Sequence, residues 1–436
     1  MAFYMEYLWA EGIEKPQFPS LEGDAKTEVL IIGGGMTGVL CALELQNRGV
    51  DYLLAEGAAI SGGITRGTTA VITAQHDVFY FDLIAKFGKE KAKLYLDANL
   101  RAVQKFEFLS HSIECEFEER PSLMFSIADR RLLEREADAV KSLGFDAQLT
   151  DKAPLPYKVA GAVVYPGMAQ FHPLKFLYSA ARGLNIHEST FIKRLDGTTA
   201  YTDDGKKIEA KKVIVAAHFP FIDSHGMYFV KLYQKRSYII AYENAPDLGC
   251  TIIDAAENGI YMRNYRDLLI IGGGDRRTGK KDSFSVVRDY ARRYFPDAKE
   301  KYAWANQDCM SLDDVPYIGE YSPSMPDVCV ATGYNEWGMT TSAIAAEILS
   351  DMVTGRENRF APAFSPRRSV WRTQLFANLG ATLANFVKPV APRCSHLGCA
   401  LVWNTAEHTW DCPCHGSRYN QRGKCICNPA TKDIKM

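Results

Sequence analysis

Apolar residues fall along this chain in blocks whose spacing switches between runs, turns and helical stripes. Residues 28–32 form a short, almost unbroken apolar run, the signature of a strand buried on both faces of a parallel sheet. A glycine turn follows, then a helical pattern over about 36–47 that Gly49 stops, then a second strand over 51–55. Strand, helix and strand make one βαβ unit. Residues 57–73 are a loop rich in Gly, Thr and Ser. Leu100, Val103 and Phe106 repeat at helical spacing within 97–109, and a second helix over 131–143 ends at Gly144. Around Asp203-Asp204-Gly205 the pattern predicts a hairpin within 193–217, its last strand being 212–217. Further strands are expected at 233–242, 259–263 and 267–271, and a helix from Gly338 to about 353. A linker rich in Pro and Arg (355–368) leads to a helix over 372–386. Leu375, Phe376, Leu379, Leu383 and Phe386 share one stripe of that helix, which is expected to pack on the first domain because its polar side is not basic, a membrane-surface helix being the other reading.

Composition narrows the field. The 436 residues suffice for two or three domains, and 47% hydrophobic content supports a sizeable core. A net charge of −1 argues against a general nucleic-acid surface, which needs a basic face. No stretch approaches the length of apolar sequence that a membrane span requires. Residues 1–19 carry Glu6, Glu11 and Glu14 and no basic start before an apolar run, so a cytoplasmic protein is expected. Of the eleven cysteines, six lie between Cys394 and Cys427. Without an export leader, such a cluster reads first as a metal site and second as a disulfide framework.

Gly33-Gly34-Gly35-Met36-Thr37-Gly38 fits G-x-G-x-x-G, placed between a strand and a helix, with Glu56 ending the next strand at the expected distance. Gly33 would allow the tight turn, Gly35 the approach of a pyrophosphate, and Gly38 close packing of helix on strand. The helix N-terminus offers N–H groups to phosphates, and Glu56 would accept hydrogen bonds from ribose hydroxyls. A second strand-then-glycine segment, Gly272-Gly273-Gly274, has Arg277 where a third glycine would stand. It is expected to be a hairpin turn, leaving no NAD(P)H site.

The choice of FAD over NAD comes from a resemblance. Residues 1–355 resemble the glycine oxidase/D-amino-acid oxidase (DAO) family of flavoproteins. The likeness is carried by the strand Val213-Ile214-Val215-Ala216-Ala217, by Trp304 with Asp313, Pro316, Ile318 and Gly319, and by Val330-Ala331-Thr332-Gly333-Tyr334-Asn335-Glu336-Trp337-Gly338-Met339-Thr340. The resemblance implies FAD held by the first motif, including Thr37, by Thr65, Thr68 and Thr69, and by Gly333, Gly338, Met339 and Thr340. The helix opening there would face the flavin ring where reduction leaves negative charge. Tyr238, Tyr261 and Arg263 are the catalytic candidates, Arg263 as a partner for a substrate carboxylate. His172, in Phe171-His172-Pro173, is a cofactor-side or helix-capping candidate, and no general base stands out.

Near the C-terminus Cys394-Ser395-His396 and Cys412-Pro413-Cys414-His415 are two loops, with fifteen residues between His396 and Cys412. Each offers one thiolate and one imidazole. The Rieske arrangement places two thiolates on one iron and two imidazoles on the other, so both loops are needed to close it. A Cys2His2 zinc knuckle is the other reading of those four residues. The segment resembles Rieske proteins of the cytochrome bc type. That resemblance implies a [2Fe–2S] cluster on Cys394, His396, Cys412 and His415, and a disulfide between Cys399 and Cys414. It also implies hydrogen bonds to the sulfurs from Ser417 and Tyr419, and a covering loop at Asn428-Pro429-Ala430. Cys425 and Cys427 fall outside that pattern and read as inert thiols. Only 43 residues run from Cys394 to Met436, so the piece is expected to lean on the flavin domain.

The fold class expected is therefore α/β. A Rossmann-like FAD-binding domain (about 24–110, 155–225 and 300–355) is interleaved with an antiparallel-sheet substrate domain (about 111–154 and 226–299). A linker and docking helix (356–390) lead to a minimal Rieske β subdomain (391–436). The activity expected is oxidation of a small amine or amino acid by hydride transfer to FAD. Electrons would then pass singly through the cluster to an outside acceptor, protein or quinone. The alternative is an electron-transfer or redox-sensing protein with no dedicated substrate.

Overall fold

A computed structural model describes residues 7–222, 225–280, 283–369, 371–386, 388 and 391–436. The first six residues of the stretch searched for an export leader, and parts of the linker region, lie outside the described residues.

The apolar run becomes the strand Ala25–Ile32, which pairs in parallel with Tyr52–Ala55 on one side and Lys207–Val215 on the other. Lys207–Val215 in turn pairs in parallel with Met325–Thr332, Val215 standing opposite Val330. These four strands form the centre of an eight-stranded sheet. The helices Met36–Asn47 and Gly338–Val353 pack against each other and are mostly buried. All four strands end at one edge, and Gly33, Glu56, Ala216 and Gly333 follow them there. Ligands of parallel α/β sheets collect at that edge.

The second eight-stranded sheet is mostly antiparallel, with Lys299–Met310, Tyr233–Glu243, Leu268–Arg277 and Ile260–Tyr265 at one end of its order. Two of its strands fall outside the expected division of the chain. Gly161–Tyr165 and Lys299–Met310 both belong to this sheet. Periodicity announces a strand but not which sheet it joins, because pairing register is a tertiary choice. The expected turn at Gly272-Gly273-Gly274 is also corrected, since Leu268–Arg277 runs straight through it. A Cβ at Gly272 would lie 2.2 Å from the ring of Tyr261 on the neighbouring strand, so the glycine makes room for a cross-strand aromatic.

The C-terminal piece is a four-stranded antiparallel meander, Val402–Asn404, Thr409–Asp411, Arg418–Tyr419 and Cys425–Cys427. It leans on the rest of the chain through polar bonds. Arg277 donates to the carbonyls of Pro413 (2.9 Å) and Cys414 (3.0 Å), and Gln307 donates to that of Gly416 (2.9 Å). Behind these bonds lies a buried charge network. Arg236 of the second sheet pairs with Glu407, which also meets Arg418 at 3.1 Å, and Arg418 binds Asp411 at 2.9 Å. Two guanidiniums and two carboxylates balance, which such burial demands.

The helix Thr373–Phe386 forms as expected but faces the other way. Leu375, Asn378 and Asn385 are buried, whereas Phe376, Leu379, Leu383 and Phe386 are exposed. The inward side is held by polar bonds, Arg277 donating to Asn378 (2.9 Å) and Asn378 to the Val230 carbonyl (3.3 Å). None of the helices among the described residues is long and apolar enough to cross a membrane.

Candidate functional site

Between the two sheets lies a cavity of about 1310 Å³. At one end it meets the glycine turn. Gly38 sits beneath it, where a Cβ would lie 1.8 Å from the Gly33 carbonyl oxygen, so helix and strand touch there through bare backbone. At Gly35 a Cβ would meet only the Thr65 hydroxyl, at 3.6 Å, and that backbone is open to the cavity. No side chain caps the helix at Gly35. In its first turn the N–H of Met36 donates to Thr65 (3.2 Å), and an uncapped helix start of this kind favours an anion. Glu56 accepts from the N–H of Gly34 (2.7 Å) and of Ala58 (2.8 Å), one on each oxygen. Burial pushes its carboxyl up, and those two bonds pull it part of the way back. A carboxylate has about four acceptor sites, so Glu56 can still receive hydroxyls.

Gly333 and the start of Gly338–Val353 border the cavity from the far side, and that helix too has no side-chain cap. Thr37 joins the two helices through the Tyr334 hydroxyl (2.8 Å) and Ser342 (3.1 Å). Of the twelve residues expected at FAD, ten line this one cavity. Gly38 lies below it, and Thr340 is turned away, donating to the Thr73 carbonyl at 3.4 Å. A long cleft with two uncapped helix N-termini and a ribose-type carboxylate fits an FAD.

The catalytic candidates divide. Tyr261 lines the cavity. Tyr238 does not. It is 1% exposed in the core behind the sheet, edge-on to Phe284, because Ser237 and Ile239 take the cavity side of the alternating strand. Arg263 borders the cavity, but its Nη1 donates to the carbonyls of Thr69 (2.7 Å) and Ala70 (2.9 Å) and its Nε to that of Asn264 (3.2 Å). It clamps the Thr68–Thr69 loop. Burial lowers it to about 9. His172 caps the helix Pro173–Ala180, its Nδ1 accepting from the Lys175 N–H.

Charged groups that the sequence did not single out stand in the same cavity. Lys235, Asp275 and Asp308 come from three adjacent strands of the second sheet, and Asp77 and Glu336 come from loops of the first domain. Burial pushes Asp77 and Asp308 up to about 7, with Glu336 adding to both. The sequence carries little signal for them, since Asp308 follows Asn306 and Gln307 and reads as one more polar residue of its strand.

The cysteine loops are built alike. Gly398 N–H bonds the Cys394 carbonyl and Gly416 N–H the Cys412 carbonyl, both at 2.9 Å. Cys394 and Cys412 are buried, and the rings of His396 and His415 stand 5.0 Å apart and nearly perpendicular. Nδ1 of His415 is buried with no hydrogen-bond partner, and burial lowers this imidazole to about 3, keeping it neutral. A neutral imidazole with a bare nitrogen, beside two buried thiols, fits an iron–sulfur cluster. The sulfurs of Cys399, Cys412 and Cys414 lie within 4.8 Å of one another, and all eleven cysteines are free thiols. The Cys399–Cys414 pair is thus close but unbonded. The Tyr419 hydroxyl lies 3.3 Å from the Cys394 sulfur, whereas Ser417 accepts from the Ala430 N–H (3.0 Å). Pro429 follows Asn428, which ties the covering loop to the carbonyls of Ala217 and Phe219.

Residues 28–352 match the family described as FAD dependent oxidoreductase, DAO. The chain belongs to the DAO family. Residues 367–436 match the Rieske [2Fe-2S] domain. The DAO-family chain is thus an FAD-dependent oxidoreductase with a Rieske domain, and its cofactors are FAD and a [2Fe–2S] cluster. Both halves occur together in a relative from Bacillus subtilis (strain 168) named as a Rieske 2Fe-2S iron-sulfur protein, YhfW. It is 31% identical, covering 99% of this chain and 97% of that one. Among solved structures the DAO fold is shared with L-proline dehydrogenase from P. horikoshii (TM-score 0.67, 18% identity, 79% of this chain and 98% of that one). It is shared also with glycine oxidase from Geobacillus kaustophilus (TM-score 0.66, 20% identity, 79% and 99%).

Proposed function

We propose that this protein oxidises a small amine or amino acid held in the cavity and delivers the electrons one at a time to an external acceptor, a protein or a quinone. Bound FAD supplies two-electron acceptance from carbon, and the cluster supplies single-electron transfer. In balance, the amine becomes an imine and releases two protons and two electrons. One C–H and one N–H bond break, a C=N bond forms, the protons leave to water, and two one-electron acceptors are reduced.

One observation carries the reading: the two cofactor sites share a wall. His218 lines the cavity and meets the Gln234 side chain at 3.3 Å, and Gln234 donates to the His415 carbonyl at 2.7 Å. The last strand, Cys425–Cys427, borders the cavity as well. In this reading Cys394, His396, Cys412 and His415 hold the cluster. Gly33, Gly35 and Glu56 seat the adenosine diphosphate half of FAD. Tyr261 faces the substrate, and Arg263 positions the loop at Thr68–Thr69.

The test is anaerobic mixing of purified holoenzyme with candidate amines and amino acids. The expected result is loss of the flavin absorbance followed by the paramagnetic signal of the reduced cluster. If only reduced protein donors produce that signal, the chain is an electron carrier and the reading fails.

Tyr419 offers a finer check. Its hydroxyl accepts the Ser395 N–H at 3.0 Å, which leaves its proton for the Cys394 sulfur or the Ser395 hydroxyl. A hydrogen bond to sulfur favours the reduced, more negative cluster. Tyr419→Phe is expected to lower the reduction potential by on the order of tens of millivolts in a redox titration with iron content unchanged.

A further inference from the structure

The wall of the cavity is strongly acidic. Eleven carboxylate residues line it, against Lys235, Arg263 and Lys424. Glu56 belongs to the nucleotide end, and Arg263 is bound to backbone carbonyls. The remaining imbalance is sharpest where the two sheets face each other. Asp275 and Asp308 project from the second sheet, with Lys235 directly opposite Asp308 across the strand pair. Glu336 and Asp77 face them from the first domain, and the Trp337 indole bonds Asp77. Among the described residues no cationic nitrogen lies within 4.0 Å of Asp77, Asp275, Asp308 or Glu336, and Lys235 forms no ion pair at that range. Asp275 is only 6% exposed, yet its Oδ1 has no hydrogen-bond partner, and neither has Oε1 of Glu336.

A buried carboxylate oxygen with no donor is costly, and two in one chamber are costlier. Such a set is stabilised when a cation enters. That cation is not a metal ion held by three of these groups. The sole trio of His, Cys, Asp or Glu ligand atoms within 4.8 Å of one another, among the described residues, is the cysteine set at the other site. Carboxylates spread over both walls of a cleft suit an extended organic cation with several N–H donors. They also repel an anion. An amino acid would bring its carboxylate against Asp275, Asp308 and Glu336, while the cavity's one buried arginine is engaged elsewhere.

We infer that Asp275, Asp308, Glu336 and Asp77 form a recognition site for an aliphatic diamine-class substrate, one ammonium group held by the carboxylates and the other amine presented to the flavin. This rests on the amine-oxidation reading and narrows it, excluding simple amino acids. The field at Lys235 agrees. Burial alone would lower its pKa, yet Glu336, Asp275 and Asp77 help to hold it above the ordinary value.

The test uses FAD-loaded full-length protein without oxygen, titrated with cadaverine, pentylamine and aminovalerate. Binding is read from the shift of the flavin spectrum. Cadaverine is expected to bind tighter than pentylamine, and aminovalerate weakest. Asp275→Asn and Asp308→Asn should each weaken cadaverine about tenfold or more and leave pentylamine unchanged. Both variants should keep their FAD and melt no lower than the parent, because each removes a buried carboxylate. Should the Asp308 variant lose FAD, Asp275→Asn alone decides by the same affinities. Tighter binding of aminovalerate than of cadaverine, or cadaverine affinity indifferent to the substitutions, overturns the inference. The two readings fail separately. Carboxylate-dependent cadaverine binding with no amine bleaching the flavin sinks amine oxidation alone. Bleaching by an amino acid, with cadaverine binding untouched by the variants, sinks the diamine site alone.

Discussion

Cys412→Ser is expected to erase the paramagnetic signal of the reduced cluster and bring iron content to background, while FAD stays bound. Cys412 is fully buried at the base of its loop, its N–H on the Ser417 carbonyl (2.8 Å) and its own carbonyl on the Gly416 N–H. These backbone bonds survive the substitution, so the loop keeps its shape and loses one soft donor. A serine hydroxyl is neither soft nor readily ionised, and iron–sulfur clusters are held by thiolates. The glycine turn and Glu56 are separate from this loop, which is why flavin retention is expected. Bleaching by substrate should persist, and reduction of an external one-electron acceptor should fall by about a hundredfold or more, beyond what loss of an outer-sphere partner costs. Iron analysis, flavin absorbance per chain and acceptor assay together check it. Loss of both cofactors would show that the two parts fold only as one unit.

Gly38→Val is expected to give a chain without flavin. The Cβ it adds has no room, because the oxygen 1.8 Å away belongs to the Gly33 backbone and cannot swing aside as a side chain could. Helix and strand must separate, and the turn that offers N–H groups to the pyrophosphate goes with them. Removing a ligand present at about a thousand times its Kd forfeits roughly 4 kcal/mol of stabilisation. Thermal unfolding of the variant should therefore fall by several degrees below the holoenzyme and also below the stripped parent protein, because the clash adds to the lost ligand. Gly35→Ala is the contrast. Its methyl meets only the Thr65 hydroxyl at 3.6 Å, so the fold holds and the loss appears as weaker FAD binding alone.

These two residues were legible in the sequence for different reasons. Gly38 belongs to a pattern in which strand, glycines and helix are contiguous, so local spacing carries the whole geometry. Cys412 belongs to a pair of short loops whose donor chemistry is nearly self-explanatory. What stayed hidden depended on facing. The pattern predicts the strand Tyr233–Glu243 but not which of its two faces meets the cavity, and Tyr238 lies on the face turned away from it. The same ambiguity concealed Lys235, Asp275 and Asp308, each an ordinary charge until two sheets bring them together. The helix Thr373–Phe386 misled in the opposite sense. Its apolar stripe pointed to burial, yet the buried side is the one whose asparagine reaches Arg277 and Val230.

The strand Cys425–Cys427 gives the molecule two tenants separated by one partition. One side of that partition lines the cavity and the other pairs with Arg418–Tyr419, so a change made in this strand touches both sites at once. Neither cofactor borrows a ligand from the other's loop, so a cell growing on scarce iron is expected to lose the cluster while keeping the flavin.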